Sequence, residues 1–173
     1  MRIRLLVLAA ALLALFTTMT GATLAQTPPP DERPTAKQVY AWYAGKTWLW
    51  EDGAGYFSPD GKFLAWSGSG ENASVAKGKW RATKLGRLCF SATWEGLTYK
   101  EYVRTCFSHR IGGDTIYQAR EPNGTWYRFR HSPPRRSDEY FKLVRGDEVT
   151  AMYEETRAAI RAAKPRTTLF RRR

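Results

Sequence analysis

Cys89 and Cys106 are the only cysteines in the chain, and joining them is the simplest chemistry the sequence offers. They lack the Cys-x-x-Cys spacing of redox and zinc motifs, and no cluster of metal-ligating residues surrounds them. In an exported chain an even pair reads as a structural disulfide. It would close a loop of about 18 residues and add on the order of 3 kcal/mol. Glu101 and His109 are the next candidates. Glycoside hydrolysis needs a carboxylic acid with a second carboxylate across a cleft, so Glu101 as acid or base, supported by His109 or Arg128, is the one enzymatic alternative. His109 and His131 are the only histidines, too few for a recognisable metal set. There is no Gly-x-Ser-x-Gly elbow, no phosphate loop and no dinucleotide fingerprint. No catalytic residue, metal or cofactor is therefore assigned.

The elements that must hold these residues follow an N-terminal leader. Arg2 and Arg4 precede the apolar run Leu5–Phe16, and Thr23 and Ala25 are small residues ahead of a cut before Gln26. This is the layout of a secretory signal peptide, and the run is shorter than the roughly 20 residues of a membrane span. The chain is expected to be periplasmic or secreted. Residues 26–34 carry four prolines and read as a tether. Residues 35–164 read as a single domain, and 165–173 as a basic tail.

Within that domain a short helix is expected over Thr35–Ala44, stopped by Gly45. From Thr47 to His131 the apolar period is two, which predicts eight strands. They are Thr47–Glu51, Gly55–Phe57, Lys62–Trp66, Ser74–Ala82, Arg87–Trp94, Tyr99–Arg110, Thr115–Arg120 and Thr125–His131. Ser58–Gly61, Thr83–Gly86 and Glu121–Gly124 each put glycine at the fourth place of a tight turn. Tyr140–Val144 offers one more strand. Asp147 then caps a helix to Lys164, whose stripe of Val149, Met152, Tyr153, Ile160 and Ala163 packs on the sheet. The fold class is mainly β: an antiparallel meander of about eight strands forming a small barrel or curved sheet, with a helix at each end.

Strand phase then sorts the side chains. Cys89 on the fifth strand and Cys106 on the sixth both fall on the polar, outward face. A hairpin near Glu95–Tyr99 would set them roughly opposite each other. Glu101 and His109 fall on the inward face of the sixth strand, where a carboxylate or imidazole needs partners. Trp48, Trp66, Trp94 and Tyr127, with Glu101, His109 and Arg128, are the candidate lining of a ligand cavity. Lys79, Arg81, Arg104, Arg110, Arg128 and Arg130 face outward with Trp126, as a basic, aromatic strip. The formal net charge of +12 favours anionic partners. For an exported chain these are acidic glycans, lipid headgroups at a membrane surface or an acidic protein, and not nucleic acid.

The string Gly45-Lys46-Thr47-Trp48, then Gly55 to Trp66, Gly78-Lys79-Trp80, Leu88-Cys89-Phe90 through Trp94, and Cys106-Phe107-Ser108-His109 resembles a family of small exported bacterial proteins known only as a domain of unknown function. The resemblance covers roughly Thr35–His131. It implies a bacterial, periplasmic or secreted protein with the same paired cysteines, and no activity. A weaker similarity is to lipocalin-like (calycin) barrels, which open with Gly-x-Trp after a short helix; here the segment is one residue longer. The leading expectation is a non-catalytic binding module for an amphipathic or anionic ligand. A glycan-acting hydrolase using Glu101 and a basic-surface interaction protein stand as alternatives.

Overall fold

A computed structural model describes residues 30–164. The expected signal peptide, its cut site, the first residues of the tether and the basic tail lie outside the described residues. The end of the tether lies against the sheet: Glu32 C=O accepts from Ile111 N–H at 2.9 Å, and Pro34 is buried beside Gly86.

Helix α1 (Ala36–Tyr43) starts where Thr35 and Gln38 form a capping box. Thr35 Oγ1 accepts from Gln38 N–H at 3.2 Å, and the Gln38 side chain accepts from Thr35 N–H at 2.8 Å. Gly45, at φ +71°, turns the chain into the sheet. The strands are β1 (Lys46–Trp50), β2 (Gly53–Phe57), β3 (Lys62–Ser67), β4 (Ser74–Ala82), β5 (Arg87–Gly96), β6 (Lys100–Gly112), β7 (Thr115–Arg120), β8 (Tyr127–Arg130) and β9 (Leu143–Arg145). All pairs are antiparallel, in the order β8-β7-β6-β5-β4-β3-β2-β1-β9. The eight expected strands are present, and β9 is the additional one. It returns across the structure to pair with β1, and the sheet curls into a half-barrel.

Two of the three expected turns form as read. Gly61 N–H reaches Ser58 C=O at 2.9 Å and Gly86 N–H reaches Thr83 C=O at 3.1 Å, both glycines at positive φ. The third differs: Gly124 N–H bonds Arg120 C=O at 2.7 Å, and Gly124 is not left-handed. Glycine is needed there because a Cβ would run into the Arg120 backbone.

The sheet is buried on two faces. The concave face bends over small residues, with Ala65 between Gly55 and Ala76, and Gly78 against Ala92. A Cβ on Gly55 would approach the Phe63 ring to 2.9 Å, so glycine there makes room for the aromatic core. Val39 and Tyr43 of α1 plug one end of the half-barrel and are fully buried. Helix α2 (Thr150–Ala163) covers the convex side of β2–β4. Asp147 caps it as expected, its Oδ1 accepting from the N–H groups of Val149 and Thr150 at 2.9 Å each. Val149, Tyr153 and Ile160 are buried against Ala54 and Val75. Met152 and Ala163, read as part of the same stripe, are exposed, because the helix meets the sheet along a narrower band. Lys164 fixes its end through Glu95 at 2.6 Å.

Cys89 and Cys106 are direct cross-strand partners on the convex face, with Cα atoms 4.1 Å apart and sulfurs at disulfide distance. The two positions are 17 residues apart in sequence, so the bridge removes conformations from the unfolded chain. Replacing both cysteines with alanine should lower unfolding free energy by about 3 kcal/mol, read as a fall in the urea midpoint. An unchanged midpoint would contradict a stabilising bridge.

Candidate functional site

The half-barrel has a closed end and an open end. The closed end is held by a run of polar groups, buried except for the partly exposed Tyr127. Tyr127 Oη donates to Gln118 Oε1, and Gln118 Nε2 donates to Tyr43 Oη at 2.6 Å. Tyr43 Oη lies 2.8 Å from His109 Nε2, and His109 Nδ1 lies 3.1 Å from Gly86 C=O. Because the Gly86 carbonyl can only accept, Nδ1 carries the proton and Nε2 accepts from Tyr43. Gln118 Nε2 also lies 2.9 Å from His109 Nε2, so the amide and the Tyr43 hydroxyl both point their protons toward the imidazole. His109 is fully buried between the rings of Trp42, Tyr43 and Phe129, and no charged side chain bonds it. Burial pushes its pKa down to about 4, although the Gly86 hydrogen bond opposes this. Burial likewise raises Tyr43 well above the ordinary phenol range, with the neighbouring Tyr127 acting in the same direction. Tyr127 is raised by its own burial and by the charge of Glu139.

Aromatic rings continue from there toward the open end. Tyr43 meets Trp48, Trp48 meets Phe107 at 5.1 Å, and Phe63 stacks on Phe90 at 4.5 Å. Beyond them a cleft of about 520 Å³ opens to solvent, with Trp50, Trp94 and Tyr99 at its far side. Its charged lining groups are Glu101, Arg120 and Glu139. Glu139 is committed: it accepts from Trp48 Nε1 at 2.8 Å and pairs with Lys142 at 2.8 Å. Among the described residues Glu101 and Arg120 form no ion pair. Arg120 sits opposite Phe107 on β6, so the backbone positions of Glu101 and Arg120 lie about 20 Å apart along the strand at 3.3 Å per residue. The cleft can thus hold an elongated apolar body with polar groups at its ends.

The structure brings together Trp48, Trp94 and Glu101 of the expected cavity residues. His109 and Tyr127 belong to the closed end, one fully enclosed and the other at its edge. Trp66 lies on the convex face, packed under α2, with its indole N–H buried and without an acceptor. Arg128 is exposed on β8 opposite Tyr117 and lines no part of the cleft. Phe63, Phe90, Phe107, Arg120 and Glu139 are lining residues the sequence reading did not name. The two phenylalanines on β5 and β6 share the apolar strand face with Trp94 and Val103, and that phase was the signal for them.

On the convex face Lys79, Arg81 and Arg104 surround Ser91 and the cysteine pair. Arg110 instead lies over the Trp126 ring at 5.1 Å, and a register shift at Ile116/Tyr117 sets Arg130 over the Tyr140 ring at 5.4 Å. The outward strip is thus divided by cation–π contacts. Among the described residues no group of three or more His, Cys, Asp or Glu could hold a metal ion, and no helix is long and apolar enough to cross a membrane.

The buried run makes stability pH-dependent. The unfolded chain takes up a proton on His109 near pH 6.5, whereas the folded protein resists it to about 4. Stability therefore falls as pH drops through that window, by on the order of 3 kcal/mol in all. Urea midpoints measured from pH 7 to pH 4 should show this loss, and His109→Gln should flatten the dependence. An equal dependence in both proteins would contradict the assignment.

A family described as Protein of unknown function (DUF995) matches residues 10–149, well over half of the chain. No curated protein matches, and no solved structure matches. The match runs from before α1 through every strand and stops at Val149, the residue before α2. The chain is a member of the DUF995 family.

Proposed function

We propose that this protein is an exported, non-catalytic binding module of the bacterial envelope whose cleft takes an amphipathic molecule. The observation that carries the reading is the open, aromatic cleft of about 520 Å³. That size lies within the roughly 300–1,000 Å³ of small-ligand sites, and such sites combine apolar walls with a few placed polar groups. Trp48, Phe63, Phe90 and Phe107 provide the walls, and Glu101 and Arg120 the free polar ends. Export is supported by the Arg2–Ala25 leader pattern and by the cysteine pair, which an oxidising compartment would keep joined. A hydrolytic role for Glu101 is less well supported, because the other carboxylate in the cleft, Glu139, is occupied by Trp48 and Lys142.

A single-chain zwitterionic amphiphile, added below its micelle concentration, should change the tryptophan fluorescence saturably. Trp94→Ala should weaken that binding by about tenfold, the loss of one large aromatic contact. No saturable change in the intact protein, or undiminished affinity in the variant, would contradict the reading.

A further inference from the structure

Strand β6 is longer than the neighbour that should cover it. β7 pairs only with Phe107–Gly112, so Lys100–Thr105 is bonded to β5 on one side and has no strand on the other. The phase of this open edge is set by Cys106, whose C=O accepts from Glu121 N–H at 2.9 Å on the β7 side. In an antiparallel strand the N–H and C=O of one residue point the same way, and successive residues alternate. The backbone groups of Tyr102 and Arg104 therefore point away from β5, and no described residue bonds them there. Such an edge is a template for another strand.

The side chains along the edge differ between its faces. Val103 and Thr105 line the aromatic cleft. Tyr102, 73% exposed, and Arg104 stand on the convex face. Arg104 lies across Ser91 from Lys79, and Arg81 is two residues further along β4. Among the described residues none of these three cations has an acidic partner.

We propose that the free edge of β6 accepts an extended polypeptide segment as an added strand, with apolar and acidic side chains alternating along it. The apolar side chains would enter the cleft beside Val103 and Thr105. The acidic ones would lie over Arg104 and its basic neighbours, since opposite charges on one face of adjacent strands attract. The apolar side chains would share the Val103–Thr105 wall with an amphiphile, whereas the edge hydrogen bonds and the basic convex face belong to the added strand alone, so protection of the edge amides separates the two readings.

The test uses a capped peptide of about ten residues that alternates valine with glutamate, a length suited to one added strand. Its controls are the same peptide N-methylated at alternate residues and a valine–lysine version. These changes are made in the peptide, so they leave the protein's fold untouched. The readout is amide hydrogen exchange. In the free protein the Tyr102 and Arg104 amides should exchange freely, while those of Val103 and Thr105 are protected by β5. The valine–glutamate peptide should slow exchange at Tyr102 and Arg104 by about tenfold or more, and neither control should. Arg104→Glu should weaken the valine–glutamate peptide and favour the lysine one. Binding without protection of these amides, or equal binding of the N-methylated peptide, would overturn the proposal. So would a free protein already dimeric with both amides protected, which would make a second copy the occupant. Binding of anionic lipid vesicles in place of the peptide would overturn it as well.

Discussion

Tyr127, Gln118, Tyr43, His109 and the Gly86 carbonyl form one connected line of hydrogen bonds, and the rest of the structure depends on it. The Gly86 carbonyl can only accept, so the imidazole carries its proton on Nδ1, and its Nε2 is left to accept from the Tyr43 hydroxyl and the Gln118 amide, 2.8 and 2.9 Å away. The line ties α1 to β6, β7, β8 and the β4–β5 turn. An unpaired polar group in that position would cost far more than one hydrogen bond contributes. Closing one end of the half-barrel in this way leaves the aromatic face exposed only at the other end. The cleft is thus a consequence of where the plug sits.

The half-barrel itself follows from side-chain size. Small residues on the concave side of β2–β5 permit tight curvature, and aromatic rings on either side fill the space that curvature creates. The curl does not close. β8 and β9 are the outer strands, and the turn Glu139–Lys142 leading into β9 packs against both ends of the sheet. Glu139 in that turn bonds Trp48 on the cleft wall, so the element that bridges the gap also shapes the cavity. A loop held by Asp138 precedes it. Burial alone would raise the Asp138 carboxyl, but N–H groups of Arg135 and His131 and the His131 ring outweigh this and hold it below the usual range.

Much of this was legible in the sequence, for local reasons. Period-two alternation is strong on β5 and β6, where one face is apolar and the other polar. There it placed Cys89 against Cys106 and turned Glu101 and His109 inward. It was silent on β3, which is apolar on both faces because the α1-plugged core lies on one side and α2 on the other. Trp66 therefore could not be assigned to a face from its neighbours, and it lies under α2, away from Trp48 and Trp94. The partners of His109 were also hidden. Tyr43 is 66 residues away, and no local pattern links a helix to a strand at that distance. Strand alternation puts Arg128 and Arg130 in one outward row, but the bulge beside Tyr117 breaks that phase. The pairing of β9 with β1 is of the same long-range kind.

The proposed function requires that the open end of the half-barrel hold a ligand in the cell. Native mass spectrometry of the protein, purified gently from its own host, would detect such a ligand. A binding cleft there gives a reproducible added mass that is reduced in Trp94→Ala. A protein recovered empty under conditions that retain weak ligands, with a spectrum identical to that of the variant apart from the substitution, would contradict it.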